Sequence, residues 1–379
     1  MMNFTLSEEQ QMLKDSVEKF LQQNYEFETR RALADSELGY SEKNWKTFAE
    51  LGWLSVPFAE ASGGFGGSMV DVITLTEALG QALVTEPFVA SLILGGRLVE
   101  LLGDEEQKQA VIPSLISGDL QLALAHTERG AGGDPSCVGC EAFRDGDDYL
   151  LSGDKLMVLN GPSADKLLVT ARSSGGERHR QGIEVFLVDA AGSGISKRCY
   201  RTLDGLRAAD IYFDQVRLPA AARLGDPASN IAAIESVIDE ALVAFAGEAI
   251  GAMEILTHDT VEYAKTRKQF GTAIGKFQAL QFRMVDMWIA HQQSRSALYL
   301  AALGQSEGGS VAQRAASALK VKTTKASRFV GEQAVQIHGG IGTTDELRVG
   351  HYFKRLLCIE ALLGSMDYHL DRYARLMHS

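Results

Sequence analysis

Residues 263–278 read Tyr263-Ala264-Lys265-Thr266-Arg267-Lys268-Gln269-Phe270-Gly271-Thr272-Ala273-Ile274-Gly275-Lys276-Phe277-Gln278. A long helical periodicity, from about Asn230 to Thr266, ends in this basic, aromatic-bearing turn, and a second begins just after it. Taken alone the stretch is an ordinary solvated helix end, since cations are favoured at a helix C-terminus. From Asp226 onward, however, helical signals follow one another at about 230–266, 276–303, 310–338 and 345–378, which predicts an antiparallel four-helix bundle.

Upstream of the bundle the signals change twice. Short apolar runs broken by turn residues, at 122–125, 149–151, 155–159, 166–171, 183–189 and 209–213, predict strands. Ser152-Gly153-Asp154 reads as a hairpin between two of them, and Asn160-Gly161-Pro162 ends the next. Nearer the start, Ser7 with Gln10 forms a capping box ahead of a helix carrying Met12, Leu13, Val17, Phe20 and Leu21. Ser41 caps a second helix, and the loop Gly63–Gly67 leads to another at about 70–83; the loop lacks the preceding strand and Lys-Ser/Thr ending of a phosphate cradle. The expectation is an α+β chain with a helical domain at 1–118, a β-barrel or sandwich at 119–226 and a four-helix bundle at 227–379.

Composition narrows the function classes. A net charge of −12 opposes a duplex nucleic acid partner, because phosphate binding wants a surplus of Lys and Arg. The apolar stretch Phe88–Gly96 is about half the length of a bilayer span. Met1-Met2-Asn3-Phe4 has no basic leader segment, so the chain is expected to be cytoplasmic. The cysteines, Cys137, Cys140, Cys199 and Cys358, are too few for a disulfide framework. Cys137-Val138-Gly139-Cys140 lacks the second pair of a zinc site, and no metal is expected.

Two further clusters stand out. Gln336-Ile337-His338-Gly339-Gly340-Ile341-Gly342 lets backbone approach a bulky anion. Ala125-His126-Thr127-Glu128-Arg129-Gly130-Ala131-Gly132-Gly133-Asp134 leaves a strand of the β domain. In this order and at these separations, the clusters and the 263–278 turn resemble the acyl-CoA dehydrogenase family over essentially the whole chain. Asp204-Gly205-Leu206-Arg207-Ala208-Ala209 and Gly350-His351-Tyr352-Phe353-Lys354-Arg355 are similar to stretches of its pimeloyl-CoA dehydrogenase small-subunit branch.

The resemblance implies FAD, held between the β domain of one subunit and the bundle of its neighbour in a homo-oligomer or in a heterotetramer with a second acyl-CoA dehydrogenase subunit. It places Arg267 on the pyrophosphate, Phe270 and Gln278 beside the adenosine half, and Gln336, Gly339 and Gly340 against the dinucleotide. Thr127 matches the threonine that bonds the isoalloxazine edge. It also implies an acyl-CoA substrate, dehydrogenated to a 2-enoyl-CoA, and an electron-transfer flavoprotein as acceptor.

The pattern breaks on the substrate side. Leu363 stands at the position of the family's commonest catalytic glutamate, and Ala241 where isovaleryl-type members carry theirs. Glu240, next to Ala241, is the candidate base in this chain, with Glu248 two turns on as the second. Leu242 replaces an arginine near CoA, Gly133 a serine, and Met157 and Leu159 the flavin-facing aromatic and threonine. Three readings stand: a working dehydrogenase subunit, a catalytically silent partner that completes another subunit's FAD site, or a reassigned oxidase or monooxygenase.

Overall fold

The structure, a computed structural model, describes residues 6–377. The Met1–Phe4 segment and His378, expected to end the last helix, lie outside the described residues. The N-terminal helices are α1 (Glu8–Asn24), α2 (Phe27–Asp35), α3 (Glu42–Glu50), α4 (Met69–Gln81), α5 (Arg97–Leu102) and α6 (Glu105–Ile116). The strands are β1 (Leu122–Ala125), β2 (Glu141–Asp145), β3 (Asp148–Leu159), β4 (Lys166–Arg172), β5 (Ile183–Asp189), β6 (Ile195–Arg201), β7 (Arg207–Pro219) and β8 (Arg223–Leu224). After them come α7 (Asn230–Thr266), α8 (Gln278–Glu307), α9 (Gly309–His338), α10 (Arg348–Ala361) and α11 (Met366–Met377). N-terminal helices, a middle sheet and C-terminal helices appear in the expected order, and the Ser7 capping box and Ser41 cap form as read.

Contacts group the chain into one unit of residues 1–32, 69–84 and 242–379, and a second of 33–68 and 85–241. In the second unit the strands run β6-β7-β3-β2-β4-β5-β8, with β1 pairing β4 in parallel. Leu151, Leu167, Phe186 and Ile211 are among the core residues of this sheet. Here the structure corrects the sequence reading at Ser152-Gly153-Asp154, which is no hairpin but an irregularity inside the continuous β3. Gly153 takes φ of 144°, and a Cβ there would lie 2.8 Å from Cys140 Cα, so the glycine serves close approach to the neighbouring strand. Strands β2, β6 and β8 were not anticipated; β6 is an edge strand whose side chains are largely exposed, so it lacks an apolar signature.

In the first unit, α4 meets α7 backbone to backbone, since a Cβ on Gly251 would lie 1.9 Å from the Glu77 carbonyl oxygen and one on Gly80 would lie 2.0 Å from that of Glu248. Beside this crossing Arg355 of α10 grips Glu248 of α7 with Nε to Oε1 at 2.6 Å and Nη2 to Oε2 at 2.8 Å, both side chains buried.

The helix expected at 345–378 is two. It breaks at Leu362–Ser365, where Leu363 takes φ of 57° and Gly364 of 103°. The chain is held in this turn by groups from elsewhere in the fold. Lys320 of α9, 6% exposed, donates from Nζ to the carbonyls of Ile359, Glu360 and Leu362 at 2.8, 2.9 and 2.8 Å, satisfying the open end of α10. His369 Nε2 donates to the Leu363 carbonyl at 2.9 Å. Burial pushes the His369 imidazole down to about 4 and the Lys320 ammonium down to about 8.

Arg355→Met leaves Glu248 a buried, unpaired carboxylate, so the variant should lose about 3–5 kcal/mol of unfolding free energy, and Glu248→Leu combined with it should recover most of the loss. Denaturant melts of both variants check this. His369 stays neutral in the fold while the unfolded chain takes a proton below its ordinary value of 6.5. Its share of stability is therefore complete above pH 6.5 and is lost as pH falls towards about 4. A His369→Gln variant should show a flatter stability curve across that window than the parent.

Candidate functional site

The expected site residues fall on two surfaces, one in each unit. At one end of the bundle, α7 stops at Thr266, the chain turns through a short hairpin pairing Lys268–Gln269 with Thr272–Ala273, and α8 starts at Gln278. Phe270 sits at the tip with φ of 53° and 91% of its surface exposed. The hairpin is tied back by Ile274 N–H donating to the Arg267 carbonyl at 2.8 Å.

The end of α9 is brought to the same place. Tyr263 stacks on His338 with ring centroids 4.3 Å apart, and its hydroxyl donates to the His338 carbonyl at 3.3 Å. Gly339, at φ of 66°, closes α9, with its N–H on the carbonyls of Val335 and Gln336. Arg267, Phe270, Gln278, Gln336, Gly339 and Gly340 are thus all exposed at one end of one unit. Around Gly271, Gly339 and Gly340 a Cβ would meet nothing within 4 Å, leaving bare backbone open to a ligand. A guanidinium, two side-chain amides, open glycine backbone and an unburied aromatic ring form a donor set suited to a pyrophosphate with an attached ring system.

The second surface is in the β unit. Thr127 leaves β1 with its side chain exposed, between half-buried neighbours His126 and Glu128. Its carbonyl accepts from Leu156 N–H at 2.8 Å. Burial and the nearby Lys155 cation push the His126 imidazole down to about 3, so this ring is neutral. Met157, expected to stand where the family has a flavin-facing aromatic, has φ of 50° and donates from its backbone N–H to Asp210 Oδ1 at 3.1 Å.

The carboxylates that compete for the role of base are both engaged. Glu240 is buried, and its oxygens accept from Arg97 Nε at 3.0 Å and Nη2 at 3.2 Å, with Glu100 on the same guanidinium. Glu248 is held by Arg355 as described. Leu363 is partly buried in its left-handed turn, and the cavity beside that turn is lined chiefly by Leu242, Phe245, Lys320, Thr323, Ile359 and Leu362. Of the ionisable side chains in that lining, Lys320 has its Nζ spent on the three carbonyls at the end of α10 and Glu360 pairs with Arg328 at 2.7 Å.

Sequence reasoning missed Arg97, Arg355, Lys320, Lys155 and Asp210. Each finds its partner through the fold, Arg97 meeting Glu240 across 143 positions and Arg355 meeting Glu248 across 107. Lys155 alone left a local trace, a charge within an otherwise apolar strand stretch. Among the described residues no group of His, Cys, Asp or Glu could hold a metal ion, and no helix is long and apolar enough to cross a membrane.

Comparison with known proteins agrees with this architecture. The acyl-CoA dehydrogenase N-terminal, middle and C-terminal domain profiles match residues 7–119, 123–216 and 231–378. A probable acyl-CoA dehydrogenase of Bacillus subtilis, YngJ, is 31% identical over 97% of this chain and 97% of its own. Among solved structures, the ChsE4-ChsE5 complex from Mycobacterium tuberculosis contains a chain that superposes with a TM-score of 0.89 at 27% identity, covering 100% of this chain and 99% of that one. Butyryl-CoA dehydrogenase from Megasphaera elsdenii gives 0.89 at 25%, with both chains covered in full at 100%. The chain belongs to the acyl-CoA dehydrogenase family.

Proposed function

We propose that this chain is one subunit of a heteromeric, FAD-dependent acyl-CoA dehydrogenase, in which it completes the FAD site while a companion subunit supplies the catalytic base. FAD is its cofactor. In this reading Arg267 pairs with the pyrophosphate, Gln336 and the backbone of Gly339 and Gly340 contact the dinucleotide, and Phe270 and Gln278 flank its adenosine half. The Thr127 hydroxyl of a neighbouring subunit bonds the isoalloxazine edge. Bound there, FAD would supply the hydride acceptor for the α,β-dehydrogenation of an acyl-CoA thioester to a 2-enoyl-CoA. An electron-transfer flavoprotein then serves as acceptor.

The observation that carries the reading is the contrast between the two halves of the site. The dinucleotide-facing residues are exposed and free of bulk around their glycines, whereas Leu363 is a leucine and Glu240 and Glu248 are each clamped by an arginine. A carboxylate whose two oxygens both accept from one guanidinium has its lone pairs engaged and would have to leave that arginine to reach a substrate carbon. A partner subunit is also supported by the outward face of α8, where Phe282, Val285, Trp288 and Ile289 are 61%, 53%, 56% and 39% exposed. The likeness to a chain of the two-component ChsE4-ChsE5 complex supports the same arrangement.

Two outcomes follow. Arg267→Ala should weaken FAD binding by roughly 10- to 150-fold, the equivalent of about 1.5–3 kcal/mol for a charge-assisted hydrogen bond, while leaving the melting temperature of the apoprotein in place. Equilibrium titration with FAD checks it, and unchanged affinity contradicts the assignment. In the assembled enzyme, Glu240→Gln should leave acyl-CoA-dependent bleaching of the flavin under anaerobic conditions within about 2-fold. A loss of roughly 100-fold or more, the size of a general-base contribution, would instead make Glu240 the base of this chain.

A further inference from the structure

Lys155 is an unusual resident of a β-sheet. Its side chain is 0% exposed, yet it carries an ammonium group, which is costly to bury unless paired and fully hydrogen-bonded. The compensation comes from Glu128 Oε1 at 2.5 Å, Thr170 Oγ1 at 3.0 Å and the His126 carbonyl at 3.5 Å. Two of these partners are the immediate neighbours of Thr127.

The remaining contacts fix the same short segment. The Thr170 hydroxyl, which accepts from Lys155, also pairs with His126 Nδ1, 3.0 Å away. Glu128 also accepts from Gly139 N–H at 2.6 Å and Cys140 N–H at 3.0 Å, closing the loop that follows Thr127. A register shift between Lys155 and Val158 lifts Leu156 and Met157 out of their pairing with β7. That shift frees the Leu156 N–H to reach the Thr127 carbonyl and the Met157 N–H to reach Asp210. The backbone on both sides of Thr127 is therefore pinned from beneath, while its own side chain stands exposed.

We infer that Lys155, acting through Glu128 and the Thr170–His126 pair, is a positioning residue that aims the Thr127 hydroxyl at the flavin edge. This rests on the FAD reading above. A pair that merely stabilised the sheet would have no reason to gather the carbonyl and carboxylate on either side of one exposed hydroxyl. Lys155 itself touches neither flavin nor substrate.

The test is a cycle of FAD dissociation constants measured on the assembled protein. Lys155→Met alone strands the Glu128 carboxylate and is not informative if it fails to fold, so the working background is Lys155→Met with Glu128→Leu, which removes both charges together. In the parent, Thr127→Ala should weaken FAD binding by roughly 2- to 10-fold, the range of a neutral hydrogen bond, and should shift the fine structure of the visible flavin band. In the double-variant background Thr127→Ala should change neither, because the hydroxyl is no longer aimed. An equal effect of Thr127→Ala in both backgrounds overturns the positioning role while leaving the FAD site intact. No effect in the parent overturns it by removing Thr127 from the site, and a parent that binds no FAD overturns the reading on which the inference rests.

Discussion

The stack of Tyr263 on His338 is the contact on which the functional reading depends. It fastens the last turn of α7 to the last turn of α9, 75 positions away in sequence, and so brings Arg267 and the glycines at 339 and 340 to one end of the bundle. Neither a basic helix end nor a glycine turn is informative alone. Joined by a ring stack and a hydroxyl-to-carbonyl bond, and left without bulk above the glycine backbone, they form a surface with cations and open amides on one side.

The two carboxylates considered as a base are held by fixed charges. Arg97 pairs with Glu240 and Arg355 with Glu248, so each carboxylate is a component of an ion pair. Breaking such a pair strands a buried charge, so these carboxylates are held in place by the same energetics that hold the helices together. The turn at Leu363 is maintained just as firmly, by Lys320 on the carbonyls at the end of α10 and His369 on the leucine's own carbonyl. The turn so held carries at position 363 a side chain with no proton-transfer chemistry.

Much of the fold was legible because the governing signals are local. The extent of α7, Asn230–Thr266, follows from a long unbroken periodicity, and β1 and β5 from compact apolar runs. Misreadings arose where tertiary contact decides. Gly153 looks like a turn residue but makes room for Cys140, and the break between α10 and α11 is imposed by Lys320 and His369. At the site, the motif residues were legible as a resemblance, and their exposure at one bundle end is what the structure adds. The arginine clamps and the Lys155 network were not legible, since their partners are set by the packing of distant elements.

A structure of the assembled protein with FAD bound decides whether the bundle end and Thr127 hold one dinucleotide. The pyrophosphate should lie within hydrogen-bonding distance of Arg267 and of the Gly339–Gly340 backbone of one subunit, with the isoalloxazine edge on Thr127 of a neighbour. Flavin bound elsewhere, or an assembly that leaves Arg267 and both glycines facing solvent, would contradict it.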